Sequence, residues 1–178
     1  MTTNITNTAT EPSVEAANPQ RFGCIMADPP WDILQGGRLG AIRHYDLMPL
    51  DQVKRMGEAI DALAEPDAHL WLWVTNGTLR AGYDVMEAWG FTPRSPLTWI
   101  KPRFGLGNYL RNATEHVLLG TRGKAPVQFK AQPTWAYWPL LEHSVKPDDI
   151  YSVIDRVSGR DTKKLELFAR RRPPAPNW

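Results

Sequence analysis

The chain has 178 residues, of which 42% are apolar and 22% are charged, and its formal net charge is +2. This composition is ordinary for a soluble protein that is long enough to bury a core of its own. No apolar stretch approaches the roughly 20 residues that a membrane-spanning helix requires. The single cysteine, Cys24, cannot form an internal disulfide, so a reducing, cytoplasmic location is expected.

The first 20 residues differ in composition from the rest of the chain. They are rich in Thr, Asn and Ala, and they contain neither a basic residue nor an apolar run. A secretory signal peptide needs both of these features, so we expect residues 1–20 to form a disordered lead-in. No internal repeat or linker follows, which predicts one domain over residues 21–178.

From residue 22 onwards, the sequence alternates between strand and helix patterns. Residues 22–27 form a short apolar run, which predicts a buried strand that ends at Asp28. The further predicted elements are a helix over 51–65, a strand over 69–75, a helix over 78–89, strands over 96–101 and 115–120, an irregular stretch over 121–144, a helix from Pro147 and a last strand over 163–169. This alternation predicts a mostly parallel α/β sheet with helices on both faces.

The first predicted strand leads into the tetrapeptide Asp28-Pro29-Pro30-Trp31. In open α/β sheets, ligands bind in loops at the carboxyl ends of strands. Both prolines have a fixed φ and no N–H, so the loop is stiff and the Pro29 carbonyl has a fixed direction. Asp28 and that carbonyl offer two acceptors and Trp31 offers a flat face, which together suit an amino group on an aromatic ring. This combination indicates methyl transfer to an exocyclic amine of a nucleobase, and a Pro-rich turn with a core Trp is the alternative.

Positive charge is concentrated in two parts of the chain. Between Arg94 and Lys130, seven basic residues accompany a single acid, Glu115, and between Arg160 and Arg172 six basic residues accompany two acids. In the first part, aromatic residues and glycines are interleaved with the bases. Basic side chains contact phosphates and aromatic side chains stack on unpaired bases, so this part predicts contact with nucleic acid. A solvated charged face is the alternative.

Seven short blocks follow one another in a specific order. They are Asp-Pro-Pro-Trp at 28–31, Leu-Trp-Val-Thr-Asn at 72–76, Ala-Trp-Gly-Phe at 88–91, Trp-Ile-Lys at 99–101, Gly-Asn-Tyr-Leu-Arg-Asn-Ala-Thr-Glu-His at 107–116, Lys-Pro-Asp-Asp-Ile-Tyr at 146–151 and Lys-Leu-Glu-Leu-Phe-Ala-Arg at 164–170. In this order the blocks resemble the MT-A70 family of S-adenosylmethionine-dependent adenine-N6 methyltransferases, in its prokaryotic or phage form. The resemblance extends from residue 22 to residue 178.

This resemblance implies both a fold and a catalytic motif. The implied fold is a Rossmann-like methyltransferase sheet that is circularly permuted, with the catalytic motif before the cofactor-binding strand. The implied catalytic residues are Asp28, Pro29, Pro30 and Trp31, with the two acceptors on the target amine and the indole stacked on the adenine.

The resemblance also implies a cofactor, S-adenosylmethionine, and residues that would bind it. Asp28 is expected near the cofactor's amino group as well as near the target amine. Lys146 resembles the lysine that meets the cofactor carboxylate, beside a helix N-terminus that favours anions, and Arg170 resembles the residue that contacts the ribose. Cys24 and Arg172 are counted with them as candidates, although a core thiol and a solvated arginine are the simpler interpretations.

The candidate substrate-binding residues lie mainly in the basic part of the chain. They are Trp31, Lys101, Arg103, Tyr109, Arg111 and Glu115. Glu115, the only acid among seven cations, is expected to anchor a neighbouring loop or a polar ligand group. His116 is interpreted as a hydrogen-bonded strand histidine, and no Cys/His cluster has the spacing of a metal site, so no metal is predicted.

One departure from the family pattern leaves the function open. The family usually continues past Pro-Asn-Trp into a Gly-Asn-Glu/Gln turn that completes the ribose and adenine site, whereas this sequence ends at Trp178. Either the cofactor pocket is open on one side, or a partner subunit or second copy supplies the missing part. A catalytically inactive, nucleic-acid-binding subunit is therefore the second hypothesis, although the intact tetrapeptide favours an enzyme. The short chain has no appended RNA-binding zinc module, which favours DNA over RNA as the substrate.

The charge pattern makes a prediction about salt. If Arg103 and Arg111 each contact a phosphate, replacing both by Ala makes the slope of log oligonucleotide affinity against log salt concentration less steep. Each lost contact is expected to change the slope by about 0.7–0.9, so the pair changes it by up to about twice that amount. Oligonucleotide titrations at several salt concentrations measure this slope. The control pair is Arg171 and Arg172. A slope that depends on the control pair and not on the loop pair would contradict the predicted substrate face.

Overall fold

The computed structural model describes residues 20–32, 47–107, 109–141, 145–174 and 178. Nineteen residues of the predicted disordered lead-in, 1–19, lie outside this described part, so that prediction stays open. No helix in the described part of the chain is long and apolar enough to cross a membrane.

The described residues form six strands and four helices. In chain order they are β1 (Phe22–Ala27), α1 (Leu50–Arg55), α2 (Gly57–Leu63), β2 (Ala64–Thr75), α3 (Leu79–Ala88), β3 (Thr92–Ile100), β4 (Thr114–Arg122), β5 (Trp135–Tyr137), α4 (Asp149–Ser158) and β6 (Lys164–Leu167). Most predicted elements are present near their predicted positions.

Four elements differ from the sequence prediction, and one of them is β3, which begins at Thr92 rather than at residue 96. The helix predicted over 51–65 is divided at Met56, where ψ is −7°, and a Cβ at Gly57 would lie only 2.7 Å from the carbonyl oxygen of Ala88. β2 begins at Ala64, five residues before the predicted start, because Phe22 pairs with Ala64 before the register shifts. The short strand β5 lies inside the stretch that was predicted to be irregular, and it pairs with β3.

The strands form one mixed sheet in the order β5-β3-β4-β2-β1-β6. β4 is antiparallel to both of its neighbours, β2 and β3, whereas the other three strand pairs are parallel. Five of the six strands therefore run in the same direction, which confirms a mostly parallel α/β fold of the Rossmann-like type. The circular permutation implied by the family resemblance stays a prediction.

The two faces of the sheet are covered by different helices. On one face, α1, α2 and α3 pack against β2 and β4 in a first core, whose members include Val53, Ile60, Leu72, Met86 and Trp89. On the other face, α4 packs in a second core, whose members include Trp71, Trp73, Trp99, Ile150 and Ile154. Trp178 packs against the second core, where its ring meets Tyr151 edge-on at 4.9 Å.

The topology gathers several chain segments at one end of the sheet. β1, β2, β3 and β6 all end there, and β4 begins there because it is antiparallel. We call this the carboxyl end of the sheet. Ligands of open α/β sheets bind outside this end, and it is where Asp28, Asn76, Lys101 and Glu115 lie.

Close packing of α3 on the sheet makes a stability prediction. A Cβ at Gly82 would lie 2.4 Å from Cγ1 of Val74 and 3.0 Å from Cδ1 of Leu118. Gly82→Ala is therefore expected to lower the free energy of unfolding by about 1–3 kcal/mol, which exceeds the gain of up to ~1 kcal/mol from helix propensity. Denaturant unfolding measures the change. Gly77→Ala is the control, because its Cβ would meet only Thr75 Oγ1 at 3.9 Å, and equal losses in both variants would contradict the packing argument.

Candidate active site

Asp28 lies directly after β1 at the carboxyl end of the sheet. Its backbone N–H donates to the carbonyl of Leu167 at 3.5 Å, which ties it to the end of β6. Its side chain is only 22% exposed. Burial raises the pKa of Asp28, and the neighbouring Lys146 ammonium opposes this shift. The partly buried carboxyl group of Asp28 therefore lies at the position predicted for the acceptor.

Hydrogen bonds from its own backbone and from Met48 hold the proline loop. The N–H of Trp31 donates to the Pro29 carbonyl at 2.9 Å, and the N–H of Met48 donates to the Pro30 carbonyl at 2.7 Å. The Pro29 carbonyl was predicted to accept from the target amine, and one of its lone pairs already has a partner. A carbonyl oxygen has two lone pairs, so the second one is available for that role.

Trp31 is anchored more firmly than a free stacking surface would be. Its Nε1 donates to the Trp73 carbonyl at 3.1 Å, and its half-buried ring packs against the first core. The alternative interpretation, in which Trp31 is a core residue, therefore holds for part of the ring. The remaining exposed part is what a stacked base could contact.

Four side chains of alternating charge form a chain across the carboxyl end. Lys146 lies 3.3 Å from Asp28 and 3.1 Å from Glu115, and Lys101 lies 2.5 Å from the other oxygen of Glu115. Each of these side chains is less than a quarter exposed. We call Asp28, Lys146, Glu115 and Lys101 the charged chain. Residues far apart in sequence meet here because the loop before α4 reaches over the ends of β1 and β4.

Within the charged chain, Glu115 and Lys146 keep their charges despite burial. Burial by itself would raise the pKa of Glu115, but Lys146 and Lys101 outweigh it and lower that pKa. Burial would likewise lower the pKa of Lys146, but Asp28 and Glu115 outweigh it and raise that pKa. Lys146 is therefore a cation and Glu115 an anion at neutral pH.

Two tryptophan rings lie beneath the lysines of the charged chain. The Nζ of Lys146 lies 5.0 Å from the ring centre of Trp73, and the Nζ of Lys101 lies 4.9 Å from that of Trp99. The two rings meet edge to face at 6.2 Å. The Nε1 of Trp73 is buried and has no hydrogen-bond partner in the described part of the chain. An unpaired buried donor is costly, so a polar ligand group or a water molecule that accepts from it would stabilise the site.

The other candidate cofactor-binding residues have different surroundings. Arg170 is exposed just beyond β6, and its charge opposes the rise in the Asp28 pKa that burial causes, so the two are close enough to interact. Arg172 is exposed. Cys24 has no exposed surface, and burial raises the pKa of its thiol to about 12. Cys24 therefore has the properties of a core thiol, and its contact with the cofactor stays a prediction.

The predicted substrate residues fall into two groups. Lys101, Glu115 and part of Trp31 lie within the site, as described above. Arg103, Tyr109 and Arg111 lie on the loop between β3 and β4, and all three are exposed, Tyr109 completely. This loop is the basic loop, residues 101–113, of which Asn108 lies outside the described part. Arg103, Tyr109 and Arg111 are thus available to a large ligand.

Two further residues lie near the site: Glu166, which was not singled out from the sequence, and Arg171, which was named only as part of the control pair for the salt prediction. Glu166 on β6 accepts a hydrogen bond from the Tyr151 hydroxyl at 2.9 Å, and Asp28 adds to the effect of burial in raising the Glu166 pKa. Arg171 binds Asp148 and also donates to the Lys146 carbonyl at 3.4 Å, which holds the start of α4. Both residues lie in or beside the block at 164–170 that resembles the family, and this block was the sequence feature that could have pointed to them.

Asn76 and His116 form a polar group beside the basic loop. The Asn76 side chain donates to Asn112 and Thr114, and its oxygen lies 2.9 Å from Nε2 of His116. The other His116 nitrogen lies 3.0 Å from the hydroxyl of Thr98. His116 is thus the hydrogen-bonded strand histidine that the sequence predicted. Within the described residues, no group of three or more His, Cys, Asp or Glu side chains could hold a metal ion.

A mostly parallel sheet with an Asp-Pro-Pro-Trp loop at its carboxyl end is the arrangement of a Rossmann-like methyltransferase. A family model described as MT-A70 matches residues 22–178, and the chain belongs to that family.

Three relatives illustrate the range of similarity. The chain is 33% identical over 166 residues to a probable N(6)-adenosine-methyltransferase MT-A70-like protein of Oryza sativa subsp. japonica. This alignment covers 89% of this chain and 22% of the rice protein. It is 31% identical over 168 residues to the N(6)-adenosine-methyltransferase catalytic subunit METTL3 of Homo sapiens, an alignment that covers 89% of this chain and 27% of the human protein. It is 26% identical over 177 residues to the type II methyltransferase M.MunI of a Mycoplasma species, an alignment that covers 85% of this chain and 73% of the Mycoplasma protein. The chain thus spans about a quarter of the length of the first two relatives.

MT-A70 methyltransferases use S-adenosylmethionine, and the charged chain fits the amino-acid end of this cofactor. Asp28 can accept from an ammonium group, and Lys146 can donate to a carboxylate at a point where α4 begins. The unpaired Nε1 of Trp73 beneath Lys146 is a further donor. These residues together offer complementary partners for both charges of an amino acid.

This fit makes a prediction about cofactor affinity. Lys146→Ala is expected to weaken S-adenosylmethionine binding by about 1.5–3 kcal/mol, or roughly 10- to 150-fold, the contribution of one charged hydrogen bond. Calorimetry measures the affinity. Lys163→Ala is the matched control, because Lys163 is an exposed lysine before β6, at the opposite end of that strand. Wild-type affinity in the Lys146 variant would contradict the assignment.

Proposed function

We propose that this chain transfers a methyl group from S-adenosylmethionine to the N6 amine of adenine in nucleic acid. One observation carries the proposal: a carboxylate, Asp28, lies beside the stiff proline loop and contacts the cation Lys146 at 3.3 Å. Such a site can bind the zwitterionic end of the cofactor and the target amine side by side. The family and the names of the relatives support the same reaction class.

The residues of the chain would act mainly by hydrogen bonding and positioning. The adenine amine is a poor nucleophile because its lone pair is conjugated with the ring. Hydrogen bonds from its two N–H groups to Asp28 and the Pro29 carbonyl favour a localised lone pair as the new bond forms. The bound cofactor supplies an electrophilic methyl group, and the rate is gained from holding the amine in line with it.

Lys146 and Glu115 define how Asp28 takes part. Burial raises the pKa of Asp28, but the Lys146 ammonium favours the ionised carboxylate that accepts hydrogen bonds. Asp28 need not be a strong base, because the amine becomes acidic once it is methylated and cationic. The amine proton can then pass through Asp28 to solvent. Glu115 holds Lys146 from the other side, at 3.1 Å, so that the ammonium stays next to Asp28.

The choice between DNA and RNA is part of the proposal. The short sequence favoured DNA, and the relatives do not support that preference, since those from rice and human carry N(6)-adenosine-methyltransferase names. We therefore propose adenine in either polymer. An adenine within a duplex must leave the base stack to reach the site, so unpaired adenines are the favoured targets.

The decisive experiment is methyl transfer by an Asp28→Asn variant. This change removes the charge and leaves the shape, so turnover is expected to fall by at least about 100-fold, in the range that one catalytic group contributes. Transfer of a labelled methyl group to matched DNA and RNA oligonucleotides with one adenine measures it. Circular dichroism checks that the fold is intact.

The control for this experiment is Asp51→Asn, an exposed aspartate on α1. Unchanged turnover in the Asp28 variant would refute the catalytic role. A wild-type chain that binds oligonucleotides but transfers no methyl group would instead support the second hypothesis, a catalytically inactive binding subunit.

A further inference from the structure

Two aromatic side chains on β5 are exposed on one face of the sheet. Trp135 is 57% exposed and Tyr137 is 62% exposed, whereas Ala136 between them packs against the second core. Alternate residues of a strand point to opposite faces. Trp135 and Tyr137 therefore share the face that bears the first core, beyond the part of it that α3 covers.

The strand register connects this pair with the candidate active site. Trp135 lies opposite Thr98, and Tyr137 lies opposite Ile100, the residue before Lys101. Thr98 in turn contacts His116, and His116 contacts Asn76 at the end of β2. A polar row thus leads across the same face from the aromatic pair to β2.

This row ends close to the Asp-Pro-Pro-Trp loop. The Nε1 of Trp31 is bound to the carbonyl of Trp73 on β2. From β2 to β5 there are three strand spacings, which amount to about 14 Å. A few nucleotides can span that distance. Tyr137 is nearer to the carboxyl end of the sheet than Trp135, because β5 runs parallel to β3.

The charge around the pair selects the kind of partner. Three basic residues, Lys101, Arg103 and Arg111, belong to the basic loop, which begins directly after Ile100, the partner of Tyr137. Glu115, the acid at the start of β4, is already bound by Lys101 and Lys146. A polyanion matches such a surface, whereas a second copy of this chain would bring like charges together. Aromatic side chains beside basic ones are the usual combination in proteins that bind unpaired nucleic acid strands.

We propose that Trp135 and Tyr137 form a stacking platform for bases that flank the target adenine in an unpaired nucleic acid strand. The two positions are two residues apart on a strand, or about 6.6–7 Å. This spacing exceeds the 3.4 Å between stacked bases in a duplex, so the bound strand is extended. The proposal rests on the proposed function for the identity of the target, and it assigns the flanking contacts to a surface that the sequence analysis did not predict.

Oligonucleotides of two lengths test the platform directly. Fluorescence anisotropy compares a trinucleotide and a nonanucleotide, each with one central adenine and pyrimidine flanks, in DNA and RNA forms. Wild type is expected to bind the longer strand more tightly, and to lose at least about fivefold when flanking bases on the platform side are replaced by abasic sites. Abasic sites are placed on the 5′ and the 3′ side in turn.

The variants are Trp135→Ala, Tyr137→Ala and the conservative pair Trp135→Phe and Tyr137→Phe. Each Ala variant is expected to lose at least about fivefold in affinity for the longer strand and to become insensitive to abasic flanks. The Phe variants keep a stacking ring and are expected to keep the affinity. The control is Phe129→Ala, which removes a partly exposed aromatic that contacts Arg156 instead.

The outcomes separate this proposal from the proposed function. Ala variants that bind both strands like wild type, or abasic flanks that have no effect in wild type, would overturn the platform even if methyl transfer is observed. A loss of affinity with abasic flanks that depends on Trp135 and Tyr137 would support the platform even if no methyl group is transferred. Sedimentation that reveals a wild-type dimer, dissociated by Trp135→Ala, would assign this surface to a second copy and also overturn the platform.

Discussion

The contact between Lys146 and two carboxylates is the interaction on which the rest of the site depends. Lys146 lies between Asp28 and Glu115, which would otherwise be two partly buried anions near each other at the carboxyl end of the sheet. Removing one partner of a buried charge group leaves the others uncompensated, which is why such groups stay together. The same contact places a donor for an anion beside an acceptor for an amine. Those are the two requirements for binding the end of an amino acid.

The mixed sheet is what makes this contact possible. Because β4 runs against its neighbours, its first residues, including Glu115, lie at the same end as the last residues of β1. α4 covers the second core, and the turn before it carries Lys146 over that end. Trp73 and Trp99 fill the space beneath and provide electron-rich faces for Lys146 and Lys101. Core packing and site electrostatics therefore use the same side chains.

Sequence patterns predicted the regular elements better than the irregular ones. The strand before Asp28 is a continuous apolar run and helix α4 has clear apolar periodicity, and both are present. β5 was missed because it has three residues, two of them exposed aromatics, so it lacks the alternation that marks a half-buried strand. Its position depends on pairing with β3, more than thirty residues earlier in the chain. No local pattern carries that information.

By itself, the sequence determined the alternation of strands and helices, the tetrapeptide at the end of β1 and the family, because these depend on local spacing and on residue order. It also placed Lys146 and Glu115 among the candidates. Only the tertiary structure decided that these two side chains meet Asp28, that Trp31 is anchored to β2, and that Glu166 lies near the site. The physical reason is that ion pairs and hydrogen bonds between distant residues depend on strand order and direction, and neither is encoded in any one segment of the chain.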